Sequence, residues 1–125
     1  MRTVYDLPPE VVAEIRRGRG ARLVRAGLYD VDFEGTSLEG ACLEGADLTG
    51  ASLKNVNLVG ADLVGALLVN ADLEAADLKD ANLGDADLLG ANLSHAVLED
   101  TNLDGANLAF AHIDGTILEK RPNGR

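Results

Sequence analysis

A large apolar residue recurs at every fifth position through most of this chain. The series begins at Leu23 and runs without a break to Leu118, which makes twenty consecutive pentapeptides across residues 21–120. Two positions before each large residue stands a small one, most often Ala, and the residue between them is usually Asp, Asn or Ser. A fixed period over so much of a chain indicates a repetitive architecture in which each unit packs against its neighbours.

The period of five excludes helices and long strands as the main element, because helices repeat at 3.6 residues and strands at 2. It fits a chain that turns a corner every five residues and regains the same side after four corners. Both apolar residues of each pentapeptide then point inward, and residues twenty apart stack in columns. Neighbouring coils should pair like strands about 4.8 Å apart, so that five coils would rise roughly 24 Å.

The repeating unit A(D/N)LxG, as in Ala46-Asp47-Leu48-Thr49-Gly50, resembles the repeat of the pentapeptide-repeat family. The resemblance covers 100 of the 125 residues. It implies an all-β fold, a right-handed quadrilateral β-helix of about five coils. No insertion interrupts the register, so we expect none of the long loops that often carry function on rigid scaffolds.

The segments outside the repeat differ at the two ends. Residues 1–20 contain helix start and stop signals, and we expect a capping helix over about 8–17. Its apolar stripe should cover the first coil, since terminal coils of a solenoid need caps. The stripe consists of Leu7, Val11, Val12 and Ile15. Residues 121–125 are short and polar, and we expect a disordered tail there.

Charge and cysteine content limit the class of partner. The formal net charge is −10 and the pI is about 4.4. Residues 1–25 hold six Arg against three acids, whereas residues 26–120 hold three Lys against eighteen acids. This acidity argues against direct binding to nucleic acid or to anionic membranes. Cys42 is the only cysteine, and no signal peptide or membrane span is evident, so we expect a cytoplasmic protein.

Stacking in columns allows surfaces to be mapped from the sequence. One wall carries apolar residues at outward positions, and we interpret it either as a partner-binding face or as ordinary ladder packing. A second wall is acidic. The candidate partner-binding face comprises Tyr29, Leu67, Val69 and Leu89, and the candidate acidic face comprises Glu39, Asp77, Asp80, Glu99, Asp100 and Glu119.

Apolar residues also replace polar ones near the end of the repeat, at Val97, Phe110 and Ile117. We expect these three residues to form a homodimer contact through the C-terminal coil, because an uncovered coil with misplaced apolar side chains is typical of a subunit interface. The alternative is that Phe110 and Ile117 fold over the last coil as a minimal cap.

The sequence contains no recognisable catalytic or metal-binding motif. The stretch from Asp30 to Gly35 starts like a calcium loop, but Ala41 stands where the bidentate Glu belongs. His95 and His112 lack a third ligand in register. No nucleophile and base occur in a catalytic spacing. We therefore predict no catalytic, cofactor-binding or metal-binding residues, no cofactor, and no enzymatic activity.

The function predicted from these features is that of a non-enzymatic protein-binding or scaffolding module with an unknown protein partner. The alternative is a DNA-mimicking inhibitor or protector of a type II topoisomerase. Members of the pentapeptide-repeat family that protect gyrase resemble a DNA duplex in shape and charge. Those relatives are longer than this chain, and several depend on loops that it lacks.

Overall fold

The structure is a computed structural model and describes residues 1–119. Regular elements are short and lie near the start of the chain. They are strand β1 (Arg2–Thr3), a 3-10 turn (Val4–Asp6), helix α1 (Pro9–Arg16) and strand β2 (Val31–Asp32). Helix α1 lies inside the range predicted for the capping helix.

The rest of the described chain is a β-solenoid held by single parallel bridges. These bridges join residues twenty apart, from Arg19↔Glu39 to Asn92↔His112. Since the chain turns every five residues, each side of a coil has room for only one such pair, so longer strands do not form. The coil of twenty residues expected from the period is therefore present. The right-handed sense of the coil and the total of about five coils remain predictions.

The core runs along the axis of the stack. The large apolar position is at most 2% exposed from Leu23 through Leu98, and the small position beside it is almost always buried as well. Phe33 takes the place of Leu in one coil and is fully buried. Because each of these side chains contributes roughly 1.5–3 kcal/mol of transfer free energy, the stack is stabilised by many equal increments.

Every corner from Leu23 to Ile113 is a β-turn that begins at the large apolar residue. In the turn that starts at Leu43, the Ala46 N–H donates to the Leu43 carbonyl at 3.0 Å. The residue before Ala46 is Gly45, whose φ of +65° lies in the left-handed region. The same left-handed conformation occurs at every fifth position from Gly20 to Gly115. This requirement explains why Gly, Asn and Asp dominate there.

The polar residue before each Leu has a local structural role. The Oδ1 atom of Asp47 accepts the Thr49 N–H at 3.0 Å, and that of Asp62 accepts the Val64 N–H at 3.1 Å. These side chains bind a backbone donor that the ladder does not use, as in an Asx turn. Much of the acidity on the walls is therefore part of the scaffold.

The N-terminal segment covers the first coil. Strand β1 adds to the coil by pairing with β2 in the register Arg2↔Val31, and Val4, Leu7 and Ile15 are at most 9% exposed within the core cluster. The Thr3 N–H donates to Asp6 Oδ2 at 2.8 Å, and this bond with that of the Thr3 hydroxyl holds the pKa of Asp6 below its usual value. The segment is thus a cap built from a strand, a turn and a helix.

The opposite end is open within residues 1–119. The inward side chains of Leu103, Leu108, Ile113 and Leu118 are only partly buried, in contrast to those of the preceding coils. Ladder bridges stop at Asn92↔His112, and Val97 has no bridge to the following coil within that range. The tail predicted at 121–125 lies outside the described residues.

Candidate protein-binding surfaces

The candidate partner-binding face lies on one wall and spans two neighbouring columns, that of Leu67 and that of Val69 and Leu89. Leu67 bridges both Asp47 and Asp87, and its side chain is 43% exposed. The Gly50 N–H donates to the Val69 carbonyl and the Asn70 N–H to the Leu89 carbonyl, each at 2.9 Å, so Val69 and Leu89 lie in adjacent coils. The structure therefore brings Leu67, Val69 and Leu89 together as an apolar patch on the wall, which we call the apolar column.

Tyr29 lies at the N-terminal end of the same wall and has a partner within the chain. The Arg2 guanidinium lies 4.2 Å from the centroid of the Tyr29 ring, and its Nη1 donates to the Tyr29 carbonyl at 2.9 Å. Sequence reasoning missed this contact, because Arg2 precedes the repeat and no periodicity assigns it to a column. Tyr29 consequently helps to anchor the cap.

The candidate acidic face divides into engaged and free carboxylates. Glu39 forms an ion pair with Arg19 at 3.4 Å, and Asp77 Oδ1 accepts the Lys79 N–H at 3.1 Å. Glu119 Oε1 accepts the Gly115 N–H at 3.3 Å.

Within residues 1–119, the other three acids of this face make no side-chain hydrogen bond or ion pair. These exposed residues are Asp80, Glu99 and Asp100. Lys79 lies in the middle of this wall, so the negative charge is interrupted.

The three candidate dimer residues are all exposed but do not form one patch on a wall. Phe110 is 87% exposed, Ile117 55% and Val97 38%. Val97 bridges Asp77, whereas Phe110 follows the opposite wall, half a coil further along the chain. The high exposure of Phe110 shows that its ring does not cover the last coil. Phe110 therefore does not share a wall with Val97, and what the three residues have in common is their position near the open end of the stack.

Two further classes of site are absent from the described part of the chain. In residues 1–119, no group of three or more His, Cys, Asp and Glu side chains is arranged to hold a metal ion. Helix α1, the single α-helix of that range, is too short to cross a membrane.

Comparison with known proteins identifies a family. The family model described as "Pentapeptide repeats" matches in 8 copies, over residues 19–50, 46–85, 57–94 and 81–119. A search of curated proteins finds no match.

Solved structures with a similar fold include a pentapeptide repeat protein from the Arabidopsis thaliana thylakoid lumen. It is 33% identical over 86% of this chain and 72% of its own length, with a TM-score of 0.52. The pentapeptide repeat protein Rfr23 from the cyanobacterium Cyanothece 51142 is 33% identical over 75% of this chain, with a TM-score of 0.45.

A trypsin-treated form of QnrB1, a plasmid-mediated fluoroquinolone resistance protein, is also similar in fold. It is 21% identical over 87% of this chain, with a TM-score of 0.54. The chain spans 65% of the length of Rfr23 and 65% of that of QnrB1. At this identity the likeness to QnrB1 extends to the fold alone.

Proposed function

The chain belongs to the pentapeptide-repeat family, whose members are generally structural or binding modules, and we propose that it is a non-enzymatic module that binds a protein partner through its apolar column. The proposal includes a cytoplasmic location and no direct contact with nucleic acid or membrane. It also includes a right-handed stack of about five coils as the scaffold that presents this surface.

The observation that carries this proposal is the exposure of apolar side chains where the repeat normally has polar ones. Leu67 occupies the position before the inward Leu68, where the preceding and following coils have Asp47 and Asp87. Those acids accept a backbone N–H, a bond that Leu67 cannot make. Because Leu67 gives up this bond and remains 43% exposed, a contact outside the chain accounts for it better than ladder packing does.

The test begins with a photo-crosslinking amino acid at position 67 in the native host, followed by purification of the captured protein. The purified partner should bind Leu67→Lys combined with Leu89→Lys at least about tenfold more weakly than the unchanged chain, because apolar anchors dominate such interfaces. The matched control is Val64→Lys, since Val64 is a half-buried outward residue on a neighbouring wall. Equal affinity of both variants for the partner would contradict the proposal.

We further propose a homodimer through the open C-terminal end. Two N–H groups of each pentapeptide donate to the following coil, as Leu48 and Gly50 do, while one donates to the preceding coil. At the last coil these donors find no acceptor within residues 1–119, and the inward apolar layer is partly exposed. A second copy would cover that layer. However, both ends would present more N–H donors than carbonyl acceptors, so the two copies could not satisfy each other's backbone hydrogen bonds. The contact should therefore depend mainly on apolar side chains, Phe110 and Ile117 among them.

The alternative function is that of a DNA-mimicking topoisomerase inhibitor, favoured by the free carboxylates Asp80, Glu99 and Asp100 on one wall. If these charges replace DNA phosphates, the protein should inhibit gyrase supercoiling, more strongly at low salt because screening weakens the attraction. Replacing all three with Asn or Gln should then relieve the inhibition, while Asp77→Asn should not. We expect no inhibition by the unchanged protein, because Asp77 and Glu39 are engaged within the scaffold.

A further inference from the structure

A cleft of about 410 Å³ separates the N-terminal cap from the first coil. One side is formed by the turn after β1 and by the end of α1, and the other by the stretch from Asp32 to Ser37. A volume of this size lies within the range of about 300–1,000 Å³ typical of small-molecule sites. The periodic pattern could not indicate the cleft, because it forms only where the non-repeating cap meets the coil.

The floor of the cleft is apolar and buried. Val4 and Ile15 line it, and both belong to the core cluster with exposures of 9% and 4%. Next to them, Gly18 and Gly35 leave open space, since a Cβ at either position would have no neighbour within 4 Å. A small apolar group can therefore rest on Val4 and Ile15 without displacing a side chain.

A cation forms one wall. The Arg16 guanidinium lies 5.5 Å from the centroid of the Tyr5 ring, and it makes no ion pair within residues 1–119. Contact with an aromatic face holds a guanidinium in place while leaving its N–H groups free to donate. Arg16 is thus available to bind a carboxylate.

Two carboxylates form the opposite wall. Asp32 and Glu34 both line the cleft and are exposed, and neither forms an ion pair within the described residues. One oxygen of Asp32 accepts the Glu34 N–H at 2.9 Å, which fixes that carboxylate. The wall is therefore suited to an ammonium group.

Opposite charges that face one cleft without pairing with each other fit a ligand that carries both charges. We propose that this cleft binds a zwitterionic amino acid or dipeptide with an apolar side chain. The ligand carboxylate contacts Arg16, its ammonium group lies between Asp32 and Glu34, and its side chain rests on Val4 and Ile15. Charge-assisted hydrogen bonds at both ends give the selectivity.

The test is a titration of the full chain with L-leucine, followed by amide chemical shifts in NMR. We expect saturable shifts at Gly18 and Gly35 and none at Gly65, which lies about one and a half coils beyond Gly35. Leucinamide lacks the carboxylate and N-acetyl-leucine lacks the ammonium group, so each should bind at least about tenfold more weakly. The dipeptide Leu-Leu distinguishes an amino acid ligand from a dipeptide ligand. The ammonium group and the carboxylate are further apart in Leu-Leu than in leucine, so the tighter of the two ligands shows which charge separation fits the cleft.

Variants at both walls complete the test. Arg16→Gln and Glu34→Gln should each weaken leucine binding by about tenfold or more, and their spectra report that the fold is kept. Glu74→Gln is the matched control, because Glu74 occupies the same position of the pentapeptide on the same wall two coils away, and it should bind leucine normally. Shifts that do not saturate, binding of leucinamide and N-acetyl-leucine as tight as that of leucine, or unchanged binding by both wall variants would overturn the proposal.

Discussion

Single residues at the corners determine how much backbone strain each turn carries. Most left-handed positions hold Gly, Asn or Asp, but Ala75 adopts φ +58°. An L-residue with a Cβ in that region is strained by about 1–2 kcal/mol, whereas Gly is not. Corner residues therefore contribute to stability through backbone conformation, independently of what their side chains contact.

Ala75→Gly should raise the free energy of unfolding by about 0.5–1 kcal/mol, because relief of the strain exceeds the entropy that Gly adds to the unfolded chain. The reciprocal control is Gly65→Ala, which should lower it by a similar amount. Gly65 has φ +66°, and no atom lies within 4 Å of the place that an added methyl group would take. The change in stability therefore reports backbone strain and not a steric clash. Urea denaturation measures both, and a loss of stability in Ala75→Gly would contradict the account of the corners.

At the scale of elements, the repeat could be predicted and the cap only in part. Pairs such as Cys42↔Asp62 follow from counting twenty residues, because identical corners fix the register. The pairing of β1 with β2 could not be counted in this way, since Arg2 and Val31 are 29 residues apart and Arg2 lies outside the repeat. Helix α1 was predictable because proline, charge and glycine mark its ends.

The candidate surfaces, too, could be predicted from the sequence only where they depend on the register of the repeat. The placement of Leu67, Val69 and Leu89 on one wall depends only on the register, so the sequence was enough to predict it, and their role in binding stays a prediction. The scaffold role of Asp77 and the pairing of Glu39 with Arg19 required side-chain positions. The cleft required the docking of the cap, which no pattern in the sequence specifies.

Deleting residues 1–20 should cause aggregation or end-to-end association without loss of the β-type far-UV spectrum. The deletion removes β1 and the buried Val4, Leu7 and Ile15, and so exposes the edge of the first coil and the Leu23 layer. Light scattering measures the change in mass, and Ala13→Ser, on the exposed side of α1, is the control. A truncated chain that stays soluble at unchanged mass would show that the segment does not act as a cap.

At the scale of the whole molecule, the open end should control association. Phe110→Ser combined with Ile117→Asp should convert a dimer into monomers, because both exposed side chains lie near the partly exposed apolar layer of the last coil. The control is Leu67→Lys with Leu89→Lys on the side wall, which should leave the dimer intact. Light scattering coupled to gel filtration gives the masses, and loss of the dimer only in the side-wall variant would place the contact on the apolar column instead.

All of these surfaces depend on one claim, that residues twenty apart lie side by side. Cys42 is exposed and bridges Asp62, so Asp62→Cys should form an intrachain disulfide on mild oxidation. Ladder neighbours lie about 4.8 Å apart, within the Cα separations of roughly 4.4–6.8 Å that disulfides require.

Asn57→Cys is nearer to Cys42 along the chain but bridges Ser37 on another wall, so it should form no such bond. Peptide mapping by mass spectrometry at low protein concentration decides between them. A disulfide between positions 42 and 62 in the folded protein, and none between 42 and 57, is the result expected. A disulfide to position 57 with none to position 62 would contradict the twenty-residue coil.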